Sequence, residues 1–201
     1  TSQGNFSVSH AQVIHPDDKP RLSDIEIFFA FTYSWIEPFS DYLMTVSPFF
    51  DRIFSEEDLY HENNYYYKNS YPIRTVQDAG GILVAGSDAP VETRDPRPFY
   101  NLEKSITRKN NDTGRIMNSS EAIGLFDAID AYTINGAKML QHDQMTGSLE
   151  VGKKADFIII DKNLLELDSR DMLNEISETK VLSTWFDGKE IYSRSNVKND
   201  T

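Results

Sequence analysis

The stretch Ile82-Leu83-Val84-Ala85-Gly86-Ser87-Asp88-Ala89-Pro90-Val91 decides how the rest of the chain is read. Four consecutive apolar residues without alternation are the pattern of a strand buried on both faces, the condition of strands in parallel sheets covered by helices. The strand leaves through Gly86 and Ser87, small enough for a close backbone turn, and delivers a carboxylate, Asp88. In parallel α/β folds the carboxyl ends of the strands carry the active sites. A carboxylate there can ligate a metal ion and accept a proton from water. It can equally be a turn or helix-capping aspartate of a βα loop, and local pattern leaves both readings open.

Working upstream, residues 72–79 read as a short helix stopped by Gly80-Gly81. Residues 25–32 form an aromatic and β-branched run, hence a strand. Residues 5–9 alternate and end at His10, a second candidate on the same topological face. A histidine at a strand end serves as a metal ligand or a substrate contact, or is simply a polar strand exit. His15-Pro16-Asp17-Asp18 looks like a helix start. Residues 33–70 make a long aromatic-rich insert, suited to a lid. A structureless loop of that length is unexpected in a compact domain, so a helix is predicted around 48–59. Tyr65-Tyr66-Tyr67 is read first as packing; with Trp35, Phe39 and Tyr42 it could also wall an apolar or aromatic pocket. His15, His61 and His142 read as surface residues. Arg74 and Arg94 could meet a substrate carboxylate but are more simply solvated.

Downstream, Pro90, Pro96 and Pro98 mark a loop, and helices are predicted over 102–109, 121–132 and 135–141. The character changes at Gly147. Residues 155–161 read as a strand, and 181–186 and 190–193 bracket Asp187-Gly188, a hairpin signal. The alternation argues for an α/β parallel sheet or barrel followed by a β-rich unit, divided as 1–146 and 147–201.

The chain has 201 residues, room for one large domain or two small ones. Its net charge of −12 disfavours nucleic acid and anionic membranes as partners. No apolar run is long enough for a membrane span. No signal peptide is visible at Thr1, which leaves cytoplasm and periplasm both open. Cysteine is absent, which excludes disulfides, iron–sulfur clusters, thiolate zinc sites and cysteine nucleophiles. The glycine-rich nucleotide loops, H-E-x-x-H and G-x-S-x-G are absent too.

Three blocks in order carry a resemblance. Ser9-His10-Ala11-Gln12-Val13-Ile14 is similar to an "E-H-A-Q" strand-end motif. Tyr71-Pro72-Ile73-Arg74 through Ala79-Gly80 to Gly86-Ser87-Asp88-Ala89-Pro90-Val91 matches a G-S-D-x-P-V motif. Ala131-Tyr132-Thr133-Ile134-Asn135-Gly136-Ala137 then precedes Gly147-Ser148-Leu149-Glu150-Val151-Gly152-Lys153-Lys154-Ala155-Asp156-Phe157. Together they resemble the amidohydrolase superfamily, in its amidohydrolase family 3 branch, from about residue 10 to 192.

The resemblance implies the C-terminal part of a distorted (β/α)8 TIM-like barrel, strands six to eight, plus part of a small β-sandwich. It implies metal-activated water hydrolysing non-peptide C–N bonds such as amides or cyclic amides in a small-molecule substrate. His10 then corresponds to the strand-six histidine, a metal ligand or a substrate contact. Asp88 corresponds to the strand-eight aspartate, both metal ligand and catalytic proton carrier. The implied cofactor is one or two divalent ions, zinc foremost. The family's remaining ligands lie upstream of strand six, and two ligands cannot close a zinc site. The chain alone is therefore expected to be inactive, with the N-terminal half of the barrel as its missing partner. An uncovered strand edge makes self-association into a homo-oligomer an expectation. Ser9 stands where the branch commonly has an acid. The alternative is a non-catalytic regulatory or binding protein that keeps the fold.

Overall fold

The computed structural model describes residues 6–24, 27–37, 45, 49, 51–91, 94–169 and 171–196. Two three-stranded sheets organise them. The first is parallel, in the order β1 (Phe6–Ser9), β2 (Ile27–Phe31), β3 (Ile82–Ala85). Ser9 pairs with Ala30, and Phe31 with Ala85, so the three strands end at one edge. β2 buries Phe28, Phe29 and Phe31, and β3 buries Leu83 and Val84. Adjacent residues point to opposite faces of a strand, so β2 and β3 are covered on both sides. Each such side chain contributes about 1.5–3 kcal/mol of burial. The rings of Phe29, Phe31 and Tyr33 lie stacked in series at 6.3 and 6.2 Å. β1, by contrast, leaves Phe6 and Val8 exposed.

Helices cover β2 and β3. In α3 (Ile73–Asp78), which follows α1 (Glu56–Leu59) and α2 (Tyr65–Asn69), Ile73 and Val76 are buried. The predicted stop at Gly80-Gly81 is a Schellman turn. The Gly80 amide donates to Gln77 and the Gly81 amide to Val76, both at 2.9 Å, with Gly80 at φ +89°. A Cβ on Gly81 would stand 2.6 Å from Val76 Cγ1, so a side chain there would clash. After β3 come α4 (Pro98–Thr107), α5 (Leu125–Tyr132) and α6 (Ile134–Met139).

The insert differs in detail from its reading. Where one helix was predicted around 48–59, the described helix is the single turn α1, and Pro48, like Phe39 and Tyr42, lies outside the described residues. Tyr65-Tyr66-Tyr67 begins α2, whose first amides, of Tyr65 and Tyr66, donate to the Asp51 carboxylate at 2.8 and 2.6 Å. Tyr66 is buried, as packing requires. The helix start at His15-Pro16 opens a 3-10 helix (Pro16–Asp24) with Pro20 inside it. Proline's missing donor and ring clash disfavour a continuing α-helix there.

The second sheet is antiparallel: β4 (Phe157–Ile160), β5 (Val181–Phe186) and β6 (Lys189–Ser193). Asp187 and Gly188 both have positive φ, +50° and +74°, as a two-residue type I′ hairpin requires. The Asp156 carboxylate accepts the Asp187 amide (2.7 Å) and the Thr146 hydroxyl (2.9 Å). Those bonds, with Lys154 nearby, hold Asp156 below the usual carboxylate range. Gly147 packs against α6, where a Cβ would stand 2.6 Å from that of Ala137. Asn135 of α6 donates to the β3 carbonyl of Leu83 at 3.0 Å. Between β4 and β5, α7 (Leu164–Ser169) and a 3-10 turn (Leu173–Glu178) lead back towards α4. There the buried Glu103 accepts the Ser177 amide at 2.8 Å. No helix among the described residues is long and apolar enough to cross a membrane.

Candidate metal and catalytic site

His10 follows the last residue of β1, and Asp88 comes three residues after the end of β3, so both stand at the carboxyl-end edge of the parallel sheet with β2 between their strands. The backbone turns sharply at each. His10 has φ +72° and Ala11 φ +29°, with the His10 amide donating to Ala30 at 2.8 Å and the Ala11 amide to Ser9 at 3.0 Å. Asp88 has φ +51°, and its carbonyl accepts the Val91 amide at 3.0 Å. Positive φ is uncommon outside glycine and persists where surrounding structure enforces it, often at functional sites. The exposed His10 ring stacks on Trp35, with centroids 5.4 Å apart and planes 11° from parallel. Asp88 is half-buried, and its carboxylate has no hydrogen-bond or ion-pair partner among the described residues.

Helix α4 holds the turn after β2, against which the His10 ring stacks. The buried Asn101 accepts the Ser34 amide through Oδ1 at 2.8 Å, fixing the 3-10 turn Tyr33–Ile36 that follows β2 and bears Trp35. The end of that segment is tied by Glu37, which pairs with the fully buried Lys104 at 3.0 Å. Glu37 also accepts the Tyr100 hydroxyl and, at 3.0 Å, the Asn111 amide. Lys104 donates further to the Lys109 carbonyl and to Asn111 Oδ1. A buried ammonium costs several kcal/mol unless paired in this way.

The segment after β1 is fastened through a second relay. Gln12 donates to the Tyr66 hydroxyl at 3.0 Å and accepts the Tyr71 amide at 2.7 Å. Val13 bridges Ser70. Behind them the buried Arg108 guanidinium donates to the carbonyls of Met117 (2.5 Å), Tyr71 (3.1 Å) and Ser70 (3.3 Å). Burial pushes Arg108 down to about 10 against the opposing pull of Glu121, so it stays charged at neutral pH.

Sequence reading did not single out Glu37, Asn101, Lys104 or Arg108. Phe99, Leu102 and Ile106 have the spacing of a buried helix face, but nothing local tells which charged neighbours go in with them. Of the other candidates, His15, His61 and His142 are exposed, as read. Arg74 is half-exposed and engaged with Asp78 at 2.8 Å, one turn along the same helix, and Arg94 is exposed.

An imidazole and a carboxylate are donor types that a divalent cation accepts. Among the described residues, however, no group of three or more potential ligands comes together. By donor chemistry alone, His10 and Asp88 fit a divalent cation as two members of a larger ligand set.

Comparison with known proteins agrees with this architecture. The chain is 32% identical over 125 residues to the protein LONG AFTER FAR-RED 3 of Arabidopsis thaliana, covering 62% of this chain and 20% of that protein. It is 29% identical over 125 residues to the N-substituted formamide deformylase of Arthrobacter pascens, covering 62% and 22%. The matched part thus spans about a fifth of the length of these curated relatives. Among solved structures, an adenosine deaminase of Xanthomonas campestris with bound zinc superposes with a TM-score of 0.60 at 16% identity, covering 97% of this chain and 38% of that one, a likeness of fold. A model of the Amidohydrolase family matches residues 2–192. With nearly its whole length matched, the chain belongs to the Amidohydrolase family.

Proposed function

We propose that this chain is the carboxyl-terminal part of a metal-dependent hydrolase of non-peptide C–N bonds, with His10 and Asp88 as its contribution to the catalytic centre. The observation that carries the reading is the arrangement of an exposed imidazole and a carboxylate without a partner among the described residues, both at one edge of a parallel sheet, at the ends of the two strands that flank β2. Relatives named as a deformylase and as deaminases support the class of bond. In barrel terms β1, β2 and β3 correspond to strands six, seven and eight, and the antiparallel sheet to part of the accompanying sandwich. Zinc is the cation we favour.

A divalent cation bound here would lower the pKa of a water and polarise the scissile carbon. The chain's own part is proton handling and orientation. Asp88, without a competing partner among the described residues, accepts the proton of the attacking water and returns it to the leaving nitrogen, the work of a general base and then a general acid. His10 supplies a neutral nitrogen donor, or holds the substrate where the centre contains one ion. The remaining ligands, and the rest of the barrel, come from sequence outside this chain; the 201 residues alone would not turn over substrate.

The test is metal analysis of the full-length protein that carries this chain, with an activity screen over N-acyl amino acids and cyclic amides. Asp88→Asn should retain most of the metal and lose about 10²–10⁴-fold in turnover. Turnover like that of the parent would remove Asp88 from the mechanism. His10→Ala should lower metal affinity; unchanged affinity and rate would make it a bystander. The lack of a three-donor group among the described residues leaves a second reading, a binding protein that retains the fold. A full-length protein without stoichiometric metal would favour it.

A further inference from the structure

We propose that Trp35 is a positioning residue for His10: its indole fixes the plane of the imidazole, and α4 holds the indole in place. The inference rests on His10 acting as a ligand, as argued above. The His10 ring has no hydrogen bond or ion pair among the described residues; what it has is the near-parallel stack on Trp35. A ligating histidine ordinarily has its ring orientation fixed by a hydrogen bond from its second nitrogen to a carboxylate, carbonyl or water. Here a flat aromatic face does the orienting, leaving both ring nitrogens free of partners among the described residues.

A stack can orient its neighbour only if it is itself held. Trp35 sits inside a four-residue 3-10 turn clamped at two points by one helix. Asn101 Oδ1 receives the amide of Ser34, the residue just before it. Glu37, two residues after it, pairs with the buried Lys104 and receives the Asn111 amide. The neighbours Tyr33, Ser34 and Ile36 are buried, whereas Trp35 is half-buried and so turns outward from the core to meet His10. The route runs from α4 through the post-β2 turn to the imidazole. It explains why two polar residues, Asn101 and Lys104, are buried on a helix that the sequence presents as ordinary packing.

The chain contains two tryptophans, Trp35 and Trp185, which makes the contact directly readable. In full-length protein from which every tryptophan except Trp35 has been removed, titration with Co(II) should quench the Trp35 emission in step with binding measured by equilibrium dialysis. Binding of Co(II) without any quenching would overturn the proposal. Trp35→Leu should weaken Zn(II) or Co(II) affinity about tenfold. Trp35→Phe, which keeps a flat ring, should restore most of that loss, with thermal midpoints recorded for both variants. Equal affinity in the parent and in Trp35→Leu would refute the positioning role, as would equal loss in the Phe and Leu variants. His10→Ala separates the two layers. If it leaves metal affinity unchanged, the ligand assignment fails; if it weakens binding while Trp35→Leu does not, the failure belongs to Trp35 alone.

Discussion

The two sheets have the same number of strands and opposite relations to the core. In β2 and β3 no residue is exposed, and neighbouring residues on both faces are packed. In β4, β5 and β6 one residue, Ser183, is buried, while Ile158, Ile159, Leu182, Phe186 and Ile191 stay exposed. The difference is one of cover. Helices α3, α5 and α6 pack on β3, and the segments after β1 and β2 are gripped by buried charged and polar groups that a dry interior makes strong. In the antiparallel sheet β5 and β6 are joined by a two-residue turn, and cross-strand pairs such as Phe157 stacked on Trp185 at 5.5 Å hold the strands together. The two candidate residues, His10 and Asp88, stand at the carboxyl-end edge of the sheet whose flanking segments are held by buried groups.

Substitutions can break that contrast. Trp35 lies beside the parallel sheet and Trp185 in the antiparallel one, so single-tryptophan versions of the full-length protein report each region during urea unfolding. The largest effect is expected from Arg108→Ala, which strands the carbonyls of Ser70, Tyr71 and Met117. A loss of about 3 kcal/mol or more should appear first at Trp35. Simultaneous loss at both reporters would mean that the two regions unfold as one unit. Gly147→Ala forces a Cβ against Ala137 at a backbone φ of +90° and should cost about 1–3 kcal/mol, registered at Trp185. Asn135→Ala removes one interior bond to β3 and should cost about 1 kcal/mol.

The smallest effect is a pH dependence. Asp156 is depressed chiefly by the Asp187 amide, so its contribution is present above the unfolded aspartate value of about 3.9 and fades as pH falls through its lower folded value. Asp156→Asn should therefore be less stable than the parent at pH 7, and the two unfolding midpoints should converge as pH falls below the unfolded aspartate value. A constant difference across that window would show that packing, and not charge, is what Asp156 provides.

Much of the framework was legible because it depends on neighbours in the chain. Ile82-Leu83-Val84-Ala85 reads as a doubly covered strand, Gly80-Gly81 as a helix stop and Asp187-Gly188 as a hairpin, each from rules acting over a few residues, and each takes that form. Asp88 and His10 were visible as strand-end residues for the same reason, while the helix expected around 48–59 is, among the described residues, the single turn Glu56–Leu59, because the length of an insert does not specify where a helix begins. What only the tertiary structure decided is the support: Asn101 reaching Ser34 across 67 positions, Arg108 reaching Ser70 across 38, and Trp35 meeting the imidazole of His10. A charged or polar side chain enters a core only when distant groups arrive to satisfy it, and those arrivals are set by how the sheet and α4 pack, which local patterns along the chain do not encode.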